Sequence, residues 1–183
     1  MIQIFYPQVI AVITCLWILL RVFFCMKVSH FNWKRELQLL LVYICIIVVV
    51  RYTFFPFFKV DGKIQPLLFH LSLIFPPRIN LIPLVNLLDY EIFREMLINV
   101  IGNTTMFIPI GVIWPIVFRE LDCPWKVIAA GTGFSACIEI LQLPFFDRVT
   151  DIDDLILNVI GFAAGYGIYR LAKSIKKRCS GKV

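Results

Sequence analysis

The chain has 183 residues, 60% of them hydrophobic and only 16% charged, with 18 Lys and Arg against 12 Asp and Glu. A soluble domain runs nearer ~45–50% apolar and ~25% charged, so this composition excludes one and points to a single integral membrane domain over 1–183. The net charge of +6 does not mark a nucleic-acid binder, because the cations sit in short connections and the tail without a stacking platform or nucleic-acid motif.

Five apolar segments follow in chain order: Tyr6 to Met26, Leu37 to Phe57, Ile98 to Phe118, Val127 to Phe146 and Leu155 to Ala172. Each approaches the ~20 residues with which a helix crosses ~30 Å of hydrocarbon. Lipid offers no partner to an open backbone group, so the spans are expected to be helices and the fold class all-α, a multi-pass helical bundle. No basic stretch precedes the first run, which reads as a retained helix and not as a cleaved signal. The six cysteines form no C-x-x-C pair and lie mostly in apolar runs, as small fillers.

Lysine and arginine set the expected orientation. With the N-terminus outside, one side receives Arg21, Lys27, Lys34, Arg35, Arg119, Lys126 and the tail cations Arg170, Lys173, Lys176, Lys177, Arg178 and Lys182. The other side receives Lys59, Lys63, Arg78, Arg94 and Arg148, with Arg51 just beneath it. The richer side is expected to be cytoplasmic. The long connection between the second and third segments is then outside. Within it, Ile64 to Phe75 is apolar but too short to span, and is expected to lie in the interface or dip into it. Leu87 to Leu97 reads as an amphipathic interfacial helix leading into the third segment.

Polar residues inside these apolar segments are costly, at ~2.5–3.5 kcal/mol for an arginine or aspartate at a helix centre. On the expected topology they collect in one outer layer. Arg51 lies about two turns from the outer end of the second segment. Asn99 and Asn103 share a face of the third, Glu139 and Gln142 a face of the fourth, and Asp151, Asp154 and Asn158 form a stripe on the fifth. Arg51, Glu139 and Asp154 are expected at the centre of a buried network completed by the amides. A structural alternative stands beside it: Thr150 with Asp153 resembles a capping box, Asp151 is a possible cap, and Asn99 and Asn103 serve as interhelical glue. Gly161 and Gly165, with Gly131, Gly133 and Ser135, mark close helix packing. Pro109 and Pro115 are expected to bend the third segment. The aspartates at helix starts serve the helix dipole better than a cation, so neither a metal nor another cofactor is expected. No nucleophile, zinc or phosphate-loop motif appears.

Arg51, R-I-N-L-I-P from Arg78 with its Asn80, G-N-T-T-M-F-I-P-I-G from Gly102, E-I-L-Q from Glu139, and R-V-T-D-I-D-D-L-I-L-N-V-I-G from Arg148, with Gly165 beyond, occur in this order. Together they resemble the VanZ-like family of bacterial membrane proteins over roughly Arg51 to Gly167. The resemblance implies a multi-pass cell-membrane protein, and the family's namesake is associated with low-level resistance to the glycopeptide teicoplanin. The leading expectation is binding of an amphiphile, a lipoglycopeptide or a lipid-linked cell-wall precursor, at the outer polar layer. Arg51, Arg78 or Arg148 would meet its phosphate or carboxylate, and membrane lipid would surround the rest. Two alternatives are a membrane-embedded enzyme with Glu139 and Asp154 as acid and base, and a small transporter-associated subunit.

Overall fold

The computed structural model describes residues 1–27, 31–55, 60–84 and 93–180. Among these are five long helices: α1 (Tyr6–Lys27), α2 (Trp33–Phe54), α3 (Phe93–Val117), α4 (Pro124–Gln142) and α5 (Ile152–Ser180). Four of them, α1, α2, α3 and α5, are long and apolar enough to cross a membrane. Two compact units divide the chain, Met1–Arg78 with Gln142–Val149 and Ile79–Leu141 with Thr150–Val183.

In the first unit, α2 starts four residues before the apolar run does. Asn32 explains the early start: its side-chain oxygen accepts from the Arg35 amide at 3.2 Å and caps the helix. α1 and α2 pair antiparallel. Thr14 and Tyr43 share a hydroxyl hydrogen bond of 2.7 Å, Trp17 packs on Tyr43, and Arg21 donates a fork of hydrogen bonds to Glu36. That pairing removes two charged residues from lipid as one neutral unit. α1 buries none of its residues, as fits a helix surrounded by hydrocarbon. α2 buries Leu39, Val42, Cys45, Val49 and Thr53, spaced by three and four along one face.

The apolar stretch between α2 and α3 differs from a simple interfacial segment. Residues Leu67–Phe69 form a strand, β2, antiparallel to β1 (Ile2–Ile4). On its other side the same stretch bonds to the segment after α4: the amides of His70 and Phe146 donate to the carbonyls of Pro144 and Leu68, each at 2.8 Å. A single 3-10 turn, Leu71–Ile74, follows. The chain's first residues thereby satisfy backbone groups that the apolar surroundings would leave open. The amphipathic helix expected over Leu87 to Leu97 falls largely on residues outside those described; its last five residues, from Phe93, already belong to α3.

In the second unit, α3 and α5 touch backbone to backbone. A methyl group on Gly161 would fall 2.0 Å from the Thr104 carbonyl oxygen, one on Gly165 2.1 Å from that of Ile108, and one on Gly111 2.1 Å from that of Phe162. The contacts on both helices advance by four residues together, so α3 and α5 run parallel. α4 is the return leg. Glu139 meets Asp151, Ser135 meets Asn158, and Gly131 lies against the Phe162 ring, an antiparallel register along α5. The Phe107, Trp114, Phe134 and Phe162 rings fill the space between the three helices. α4 buries Ser135 and Glu139 against protein, where a polar residue costs less than it does facing lipid. It ends at Gln142, short of the expected Phe146, where Pro144 follows. α3 continues as helix through both Pro109 and Pro115.

At the other end of this unit, Lys173 and Tyr169 on α5 donate to Asp122, in the turn before α4, and Arg170 lies 4.0 Å from the same carboxylate. The Lys173 hydrogen bond, ahead of the one from Tyr169, holds the Asp122 carboxyl below its usual range.

Two outcomes follow from this packing. Gly161→Ala or Gly165→Ala meets backbone that cannot move aside, and is expected to cost at least ~1–3 kcal/mol, whereas Gly133→Ala, with open space around it, leaves stability unchanged; thermal unfolding in detergent measures both. Because the Asp122 value is lowered, its clasp on α5 persists while the pH falls through the ordinary carboxylate value of ~4 and is lost only in more acid solution. Hydrogen exchange at Leu121 to Cys123, corrected for intrinsic rates, is expected to rise only there, and Asp122→Asn to abolish that dependence.

Candidate functional site

The polar residues of the sequence motifs meet backbone at helix ends. A helix leaves its last carbonyls without amide partners, and at the end of α2 three side chains supply them. Gln142 Nε2 donates to the Thr53 carbonyl at 2.6 Å, Arg148 Nε to that of Phe54 at 2.9 Å, and Arg51 Nη1 to that of Phe55 at 3.4 Å. Two cations at a helix C-terminus also complement its dipole. The Arg51 guanidinium lies 5.7 Å from the Tyr6 ring centre and 5.2 Å from that of Tyr52.

Arg78 serves a neighbouring stretch of the same unit. Its Nη1 donates to the Phe146 carbonyl at 2.9 Å and its Nη2 to that of Phe145 at 2.7 Å. The Phe145 ring in turn meets Phe54 edge-on, 6.0 Å between centroids. Arg51, Arg78 and Arg148, far apart along the chain, therefore collect around one pair of phenylalanines. Gln142 and Arg148 sit on the eight residues, the last of α4 and the connection after it, that this unit takes from that part of the chain.

The second unit holds the carboxylates and asparagines. β3 (Ile79–Asn80) pairs parallel with β4 (Thr150–Asp151). Asn80 Nδ2 donates to Asp151 Oδ1 at 3.1 Å, and the same oxygen accepts the Asp153 amide at 3.0 Å, so Asp151 caps α5. The capping box expected of Thr150 and Asp153 does not form. The Thr150 hydroxyl donates instead to the Glu139 carbonyl at 2.8 Å, and Asp153 Oδ1 accepts the Leu84 amide at 2.7 Å. Glu139, buried in the last turn of α4, accepts the Asp151 amide on Oε2 at 3.1 Å.

Further along α5 the stripe reaches two other helices. Asn103 Nδ2 on α3 donates to Asp154 Oδ1 at 2.5 Å and to Asn99 Oδ1 at 3.2 Å. Asn158, 1% exposed, donates from Nδ2 to Ser135 on α4 at 3.0 Å, while its Oδ1 is buried without a partner. Asp151, Asp154 and Asn158 thus tie one face of α5 to β3, α3 and α4 in turn. Of the three residues expected at the centre of the network, Glu139 and Asp154 belong to this unit and Arg51 to the first.

Sequence reasoning missed Asp153, Ser135 and Thr53 as parts of these arrangements. Asp153 is buried with Oδ2 unpartnered, although it stands outside the 151–154–158 stripe. Its signal was the crowding of three aspartates within four residues, more than one helix cap needs. Ser135 carried no signal beyond being a small residue among small residues. Among the described residues no cluster of three or more His, Cys, Asp or Glu is placed to hold a metal.

The VanZ/LLP1 family model matches residues 40–173. The chain belongs to this family. It is also similar to Protein VanZ of Enterococcus faecium, with 38% identity over 80 residues, 44% of this chain and 47% of that protein. The chain thus matches about half the length of that relative. No solved structure matches it. The family region begins within α2 and takes in every residue of the two polar arrangements; α1 lies outside it. Several motif residues therefore have a first, structural role: Arg51, Gln142 and Arg148 complete the backbone at the end of α2, and Asp151 and Glu139 that at the start of α5.

Gln142→Leu tests that role, since it keeps side-chain bulk and removes only the donor to the buried Thr53 carbonyl. A loss of ~1–3 kcal/mol is expected, read by thermal or denaturant unfolding in detergent.

Proposed function

We propose that this VanZ-family protein binds an amphiphile with an anionic head, a lipid-linked cell-wall precursor or a lipoglycopeptide, at an outward-facing polar layer. One observation carries the reading. Arg78 and Arg148 donate to carbonyls at the Phe54–Phe145 contact, and Arg51 to that of Phe55 next to it. Three guanidinium groups held along one stretch of backbone suit an anionic head, and Arg is the side chain best suited to phosphate or carboxylate. Exposed apolar groups of the same unit, Leu71, Ile74, Phe75 and Phe146, offer acyl chains a surface.

The distribution of lysine and arginine supports an outer N-terminus and a cytoplasmic C-terminus, which puts the arginine cluster on the outer side of a cell membrane. The association of the family's namesake with teicoplanin agrees with a lipid-tailed ligand on that side. Binding is favoured over chemistry because Glu139 and Asp154, the carboxylates available for acid–base work, accept from the Asp151 amide and from Asn103, which holds them as structural acceptors.

The test is retention of a labelled lipid-linked precursor and of labelled teicoplanin by the protein in lipid nanodiscs, with susceptibility of expressing cells alongside. Arg51→Ala and Arg148→Ala are expected to reduce retention about tenfold each, the effect of one charge-assisted hydrogen bond, and Glu139→Gln to change it less. Unaltered retention and susceptibility in well-folded arginine variants removes the proposal.

A further inference from the structure

The three arginines are not equivalent. Arg51 and Arg148 donate to the last carbonyls of α2, where the helix dipole concentrates negative potential and meets part of their charge. Arg78 has no helix end to serve. Its two Nη groups donate to Phe145 and Phe146 in the connection beyond α4, and its Nε is buried without a partner. No carboxylate among the described residues lies within ion-pair distance of it. A half-buried guanidinium held by neutral acceptors alone carries a desolvation cost that only an anion offsets well.

What surrounds Arg78 favours an anion with a lipid tail. The Phe146 ring lies 5.7 Å from the guanidinium carbon and is 50% exposed, and Phe75, three residues before Arg78, is 84% exposed. A head that pairs with Arg78 would leave its acyl chains beside these rings. The guanidinium retains one hydrogen on each Nη. A phosphate accepts from such a fork as a carboxylate does, and it is the anionic group that carries the acyl chains of a phospholipid.

We infer that Arg78 is the head-recognising residue of the amphiphile site and that the head it takes is a phosphate, as on an anionic phospholipid or a lipid-linked phosphate. The inference rests on the proposed function and narrows it to one side chain and one chemical class.

The experiment uses the full chain in mixed micelles with a fluorescent reporter, Phe146→Trp, and brominated lipids as quenchers, read as a difference from the parent chain. Brominated phosphatidylglycerol is expected to quench the new indole at about tenfold lower mole fraction than brominated phosphatidylcholine, the effect of one charge-assisted hydrogen bond. Adding Arg78→Gln is expected to erase that preference, and Arg78→Lys, which keeps the charge and loses the fork, to leave part of it. An undiminished preference in a folded Arg78→Gln protein overturns the assignment. If Arg51→Gln or Arg148→Gln then removes the preference, amphiphile binding stands and only the head-recognising residue has moved. Should Arg78→Gln fail to fold, the reporter chain with Arg78 intact decides: equal quenching by the two lipids overturns the inference. Release of quenching by millimolar inorganic phosphate identifies a free anion and overturns the lipid source. Retention of labelled precursor without any preference for phosphatidylglycerol sinks the phosphate inference and spares the broader function.

Discussion

Backbone groups at helix ends are the constraint on which the rest depends. In hydrocarbon an open carbonyl or amide has no water to turn to, and the ends of α2 and α5 each expose several. Side chains from distant parts of the chain supply the partners: Arg51, Gln142 and Arg148 for the carbonyls of α2, Asp151 and Glu139 for amides at the start of α5. These motif residues have a structural role before any ligand is considered, while Asn103, Asp154 and Asn158 join helices side chain to side chain.

The proposed recognition of an anionic head would draw on the same groups without competing for the same atoms. A guanidinium that donates one hydrogen to a carbonyl retains others and keeps its charge. Capping thus concentrates positive charge at a fixed spot while holding the side chains still. Such preorganisation lowers the entropy cost of meeting an anion. Arg78 serves no helix end, and its buried Nε has no partner.

Glycine does for the second unit what capping does for the ends. Gly111, Gly161 and Gly165 let α3 and α5 approach until backbone meets backbone, a contact that does not depend on a hydrophobic drive absent in lipid. With α3 and α5 in register, Asn103 comes within reach of Asp154, and the antiparallel return of α4 brings Ser135 to Asn158 and Glu139 to Asp151. The packing that the glycines permit therefore gives the polar stripe on α5 its partners, Asn158 Oδ1 excepted.

The amino-acid sequence by itself determined the apolar segments, their helical form, the grouping of polar residues near segment ends and the Gly161–Gly165 contact face. These are local properties, set by hydropathy and by spacings of three and four along one helix. Three things lay beyond it. β1 pairs with a strand more than sixty residues away, inside the apolar stretch expected only to lie in the interface. Thr150 donates to the Glu139 carbonyl instead of closing a capping box, because the helix begins at Ile152 and Asp151 takes the cap position. The carbonyls that Arg51, Arg78 and Arg148 serve are invisible in a string of letters, since every residue has one. Which of them lack amides depends on where helices stop and what packs against the stop, and only the tertiary structure decides that.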